Sequence, residues 1–167
     1  MSTINETIYT KDLANKKVMV VRDFDAPVAL VWQAWTDPNL LDEWWAPKPW
    51  KAKTKTMDFR EGGTWLYSMV GPDGTESFCR ADFQTIHVEK SFTASDAFCD
   101  ENGKPTNDLP GMQWYNKFIP TATGTRVEVE ISFASIEDLD KIMEMGFREG
   151  FAAAHGNLDE LLSQVVV

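Results

Sequence analysis

The sequence predicts an α+β domain in which a curved antiparallel sheet wraps around a long C-terminal helix, with two short helices set after the first strand. Three observations carry this. Strand-like alternation divided by turn chemistry fills residues 51–133, two proline-punctuated helical stretches precede it, and an apolar stripe at helical spacing runs from Leu139 to Leu161. About 18 helical residues span nearly 30 Å, enough to cross a whole sheet diagonally.

Residues 16–24 read as the first strand, with Val18, Val20 and Phe24 alternating against Lys17, Met19 and Asp23. Asp25 is placed to cap the helix that follows, Pro27 falls in its tolerated first turn, and Val28, Val31, Trp32 and Trp35 form its apolar face. Asp37-Pro38 repeats the start signal for a second short helix carrying Leu40, Leu41 and Trp44, which Pro47 and Pro49 end. Neighbours on a helix cannot point the same way, so of Trp44 and Trp45 one enters the core while the other lines a cavity mouth.

Strands are then expected over residues 53–59, 64–70, 75–86, 90–98, 112–119 and 125–133. Arg60-Glu61-Gly62-Gly63 and Gly71-Pro72-Asp73-Gly74 supply the first two turns; in the second, Pro72 presets φ and Gly74 takes the left-handed position. Val127, Val129, Ile131 and Phe133 alternate with Glu128, Glu130 and Ser132, giving that strand one wet and one buried face. Residues 100–111, rich in acids, glycine and proline, read as a mobile surface loop. Ser135 and Asp138 form a capping box for a short helix, Gly146 bends the chain, and the long helix follows. A turn centred on Glu89 would set Cys79 opposite Cys99.

At 167 residues the chain suits one domain spanning 1–167. Sixteen Lys plus Arg against twenty-six Asp plus Glu leave a net charge of -10, which repels phosphate backbones and anionic headgroups and so argues against nucleic acid and membrane partners. No apolar run approaches the roughly 18 residues a membrane span requires, and residues 1–17 lack a signal-peptide core, so a cytoplasmic location is expected. Two cysteines without metal-ligand or redox spacing are expected as reduced, half-buried thiols. His87 and His155 have no Cys, His or Asp at ligand spacing, so neither a metal nor a cofactor is expected. No nucleophile elbow is present, and Gly62-Gly63 is a hairpin turn without a P-loop lysine. Asp58 with Arg60, and Asp82 with Arg80, read as solvated ion pairs.

Three separated segments, FDAPVALVWQAWTDPNLLDEWWAP, MDFREGGTWLYSMVGPDG and EMGFREGFAAAHGNLDELL, resemble the homologues of the activator of the ninety-kilodalton heat-shock chaperone ATPase, a branch of the START-like (SRPBCC) helix-grip superfamily. The resemblance covers residues 18–162. It implies a helix-grip fold with a cavity between sheet and last helix, used in the superfamily for lipids, hormones or polyketides. It also implies a stand-alone domain, since no residues remain for the extra chaperone-binding portion of the eukaryotic activator.

Alternation sets the candidate lining of such a cavity: Phe59, Trp65, Tyr67, Met69, Trp114 and Phe118 from strands, with Met57, Phe92, Phe98 and Met112 on the same faces. Trp44 and Trp45 come from the mouth, and Phe147, Phe151 and His155 from the helix. Aromatic walls with a few polar tips suit a hydrophobic or aromatic small molecule, held by a carrier or sensor. The same rings, close-packed, would fill the space instead, leaving an interaction module that stimulates a chaperone ATPase. A third class is a cyclase- or dehydratase-type cavity enzyme using Tyr67, Asp58 or His155 as acid or base. His155 also reads as an interfacial histidine satisfied by backbone or water. Oligomeric state is left open, a homodimer included.

Overall fold

The computed structural model describes residues 6–106 and 111–165. Eight strands form one antiparallel sheet: β1 (Ile8–Asp12), β2 (Lys17–Phe24), β3 (Lys51–Met57), β4 (Thr64–Val70), β5 (Glu76–His87), β6 (Ser91–Cys99), β7 (Met112–Pro120) and β8 (Thr125–Ser132). Their spatial order is β1-β2-β8-β7-β6-β5-β4-β3. Because β2 lies next to one edge and β3 forms the other, the helices α1 (Val28–Thr36) and α2 (Pro38–Trp44) carry the chain from one end of the sheet to the other. The C-terminal helices α3 (Ile136–Glu144) and α4 (Phe147–Val165) complete the helix-grip arrangement.

The local signals act largely as predicted. Asp37 caps α2 by accepting from the Asn39 amide, and Ser135 caps α3 by accepting from the Asp138 amide. Gly146, at φ +86°, separates α3 from α4, a backbone region that a Cβ would strain. Gly74, at φ +89°, closes the β4–β5 hairpin, and Gly63 lies so close to the Asp58 carbonyl that a Cβ would sit 2.0 Å from its oxygen. Along β8, Thr125, Val127, Val129 and Ile131 are buried and alternate with more accessible polar residues. The salt bridges Arg60–Asp58 and Arg80–Asp82 form at the accessible surface.

Four features depart from the sequence reading. β1 was not expected: it is a short edge strand with no alternating apolar face, and it is recruited by pairing with β2. Asp25 does not cap α1; Pro27 is the N-cap, with its carbonyl accepting from the Leu30 and Val31 amides and no side-chain cap bond. The inward row of β2 includes Arg22, only 5% exposed, whose guanidinium donates to both carboxylate oxygens of Asp159 on α4 and lies 4.9 Å from the Phe24 ring centroid. The pair ties the long helix to the sheet. Finally, a bulge between Phe83 and Ile86 gives β5 one extra residue, so Cys99 pairs with Phe78 and Cys79 with Phe98. One residue of slip puts the two cysteines on opposite faces of the sheet; both are free and buried. Of the predicted 100–111 loop, residues 107–110 lie outside the described residues.

Among the described residues no helix is long and apolar enough to cross a membrane, and no group of three or more His, Cys, Asp or Glu is placed to hold a metal ion.

Candidate functional site

The inner face of β4–β7 meets the α3–α4 bend and the segment after α2 across a cavity of about 400 Å³, open to solvent on one side. The bend matters here, since Met145, Gly146, Phe147, Gly150 and Phe151 all line it. Pro47 and Trp50 form the opposite rim, where the chain leaves α2 through its helix-ending prolines. Met145 is half exposed, as a rim residue should be.

Behind this cavity lies a recess of about 40 Å³, room for a water or a single small group. Trp45, Tyr67, Asp96 and Trp114 line both spaces and form the partition between them. Their positions are set by hydrogen bonds and ring packing. Tyr67 stacks on Trp65 with centroids 3.9 Å apart, and its hydroxyl accepts from Trp45 Nε1 at 3.1 Å. Trp65 Nε1 donates to Thr54 Oγ1 at 3.0 Å, and Trp114 Nε1 donates to Asp96 Oδ2 at 2.9 Å. Thus each of these indole N–H groups has a partner, which fixes the ring planes. In the recess Trp35 Nε1 and Asn116 Oδ1 have no protein partner; a donor and an acceptor together complement a hydroxyl or a water.

Asp96 is the charged cavity residue that sequence reasoning missed; Trp50, Cys79, Ile142 and Met145 were also not assigned to the lining. It lies on β6 in the inward row Phe92, Ala94, Asp96, Phe98. The signal was present: Phe92 and Phe98, both assigned inward, are six residues apart, so the same period of two places position 96 between them. Its Oδ1 accepts from the Met112 amide at 2.8 Å and its Oδ2 from the Trp114 indole. The edge it leaves accessible is on the cavity wall, and burial raises its pKa to about 7 even though both hydrogen bonds favour the charged form. Burial also holds the Tyr67 hydroxyl well above the ordinary phenol value and pushes the Cys79 thiol up to about 12, with the neighbouring Asp96 contributing to both. Both groups are therefore neutral donors at physiological pH, and neither is an activated nucleophile or base.

Of the predicted lining residues, Trp45, Tyr67, Met69, Trp114, Phe147 and Phe151 do reach the cavity, together with Phe98 and Met112, while Trp65, Met57 and Phe92 line the recess. Four others are placed elsewhere. Trp44 is fully buried and donates to the Ala34 carbonyl, so of the tryptophan pair it is the core member and Trp45 the cavity member. Phe59 falls just past the end of β3 and packs edge-on against Phe83, Phe92 and Trp32. Phe118 packs against Trp32, Trp35 and Phe92 toward the far end of β7. His155, one turn beyond Phe151, turns its ring toward Phe24 and shares a hydrogen bond with Thr7 through Nδ1. Burial first, and then Arg22, depress its pKa to about 3, so it is a neutral core histidine. Asp58 pairs with Arg60 at the surface, which leaves Tyr67 as the one of the three acid-base candidates on the cavity wall.

The family model described as activator of Hsp90 ATPase homolog 1-like protein matches residues 25–163. Comparison with curated proteins gives no match. Among solved structures, the chain is similar to an Arthrobacter aurescens protein at 35% identity, with 95% of this chain and 92% of that chain covered and a TM-score of 0.88. It is similar to a Mycobacterium smegmatis protein at 32% identity, covering 94% and 96% with a TM-score of 0.87. A Nitrosomonas europaea protein is 32% identical over 90% of this chain and 96% of that one, with a TM-score of 0.80.

Proposed function

We propose that this chain, which belongs to the family of activator of Hsp90 ATPase homolog 1-like proteins, binds a hydrophobic or aromatic small molecule in the cavity beneath the α3–α4 bend, as a carrier or sensor. The observation that carries the reading is the cavity itself: about 400 Å³, walled by rings from five separate parts of the chain and still open on one side. A close-packed interior does not leave such a space, and its volume falls in the range of small-molecule sites. A ligand burying about 300 Å² of apolar surface gains on the order of 7 kcal/mol before the costs of association, so the affinity is no better than about micromolar.

Three tryptophans, Trp45, Trp50 and Trp114, line the cavity, so occupancy should quench tryptophan fluorescence. It should also raise the melting temperature with ligand concentration. A panel of fatty acids, hydrophobic amines, sterols, flavonoids and polyketide-like aromatics tests both signals. If no member moves either one, the interaction-module reading, stimulation of a chaperone ATPase through the acidic surface, replaces this one.

A further inference from the structure

The cavity wall has an unusual charge balance. Among the described residues it contains one carboxyl group, Asp96, and no Lys, Arg or His. The two donors on Asp96, a backbone amide and an indole, are both uncharged, so the ionised carboxylate has no counter-ion on the cavity wall. Each oxygen retains acceptor capacity beyond its single bond. The rings of Trp45, Tyr67, Phe98, Trp114, Phe147 and Phe151 line the same cavity. An aromatic face attracts a cation and repels an anion, most strongly where water is excluded.

We propose that the cavity selects hydrophobic organic cations, amines or quaternary ammonium compounds, with the cationic head set against Asp96 and the aromatic walls. This rests on the cavity-binding reading and narrows it. A ligand carboxylate in the same place meets the charge of Asp96 and finds no cation, so acids are rejected and neutral analogues bind with intermediate strength.

The groups facing Asp96 leave it as the one that titrates near neutrality. Tyr67 from β4 and Cys79 from β5 are held protonated by burial. Among the described residues lining the cavity, β7 presents Met112 and Trp114, α3 Ile142, α4 Phe147 and Phe151, and the segment after α2 Trp45, Pro47 and Trp50, none of them ionisable. Burial brings the Asp96 pKa to about 7, and a cation alongside lowers it again, so binding of a cation expels the Asp96 proton.

The test is calorimetric titration of the whole chain with phenylbutyltrimethylammonium, phenylbutanol and phenylbutyrate, at about pH 6 and about pH 8. The ammonium compound carries no dissociable proton. It should bind about tenfold tighter than the alcohol, with the acid weakest. Its affinity should rise about tenfold from the lower pH to the higher, with proton release at the lower pH visible as a dependence on buffer ionisation heat, while the alcohol shows neither effect. In Asp96→Asn the ammonium preference and its pH dependence should both disappear while the alcohol still binds. The wild-type pH profile decides the matter alone if that variant does not fold. Equal binding of alcohol and ammonium, or ammonium binding independent of pH, overturns the role of Asp96 and leaves the cavity reading standing. Failure of all three compounds to bind overturns both.

Discussion

Replacing Asp96 by Asn should make stability depend on pH differently, in a direction the geometry fixes. The folded carboxyl titrates at about 7 and the unfolded one near the ordinary 3.8. As pH rises between these values the unfolded chain gives up its proton while the folded chain keeps it, so the wild type loses stability at about 1.4 kcal/mol per pH unit. Across the whole window this amounts to about 4 kcal/mol. Asn does not titrate, so the stability of Asp96→Asn minus that of wild type should climb by about 4 kcal/mol from about pH 4 to about pH 8. His155 works in the opposite sense: its folded pKa of about 3 lies below the unfolded 6.5, so stability falls as pH drops through that window. It is present in both proteins and cancels in the difference. Urea melts of the two proteins across the range, analysed as midpoint and slope, read the quantity directly. A difference that stays flat with pH refutes the reasoning, because it means that Asp96 ionises as easily in the fold as out of it.

Three further outcomes follow from packing and backbone geometry. Leu158, fully buried on α4, should cost about 3 kcal/mol on replacement by Ala, whereas Phe151→Ala, which removes a ring already bordering open space, should cost about 2 kcal/mol; equal and full core penalties in denaturant melts would argue against the cavity. Gly156 is exposed in the middle of α4, and a Cβ added there would meet nothing within 4 Å, so Gly156→Ala should stabilise by about 0.5–1 kcal/mol, while Gly146→Ala at φ +86° should destabilise by at least about 1 kcal/mol, both read as midpoint shifts. Thiol labelling of the unfolded chain without reductant should count two free cysteines, and in the native state Cys79 should label slowly because burial holds its thiol protonated; a count of zero contradicts the pairing, which puts the two on opposite faces.

Much of the fold was legible because its signals are local. The alternation of β8, the Asp37 cap and the Gly146 break each occupy a few residues and act through backbone geometry that does not depend on distant partners. β1 was not legible, since its placement comes from the β2 edge and not from its own pattern. The cysteine register failed for a similar reason: the bulge in β5 inserts one residue without a glycine or proline to announce it. At the site, period-two alternation found Tyr67, Met69 and Trp114 but overextended at Phe59, which falls past the end of β3, and at Phe118, whose strand runs on past the end of the cavity. The helix stripe was right for Phe147 and Phe151 and one turn too long at His155. Asp96 was overlooked because an acid among apolar residues reads as an outward position, although the period placed it inward.

Occupancy of the cavity in the cell is read most directly by native mass spectrometry of the protein purified from its own host. The geometry predicts a population heavier than the bare chain by one small organic mass, lost on denaturation. The increment should be absent from Gly150→Phe, whose ring would enter the mouth from α4 beside Pro47, where a Cβ lies 3.7 Å from the Pro47 Cγ. Wild-type protein that carries no added mass under any growth condition, and that takes up no member of the ligand panel afterwards, would contradict the binding role assigned to the cavity.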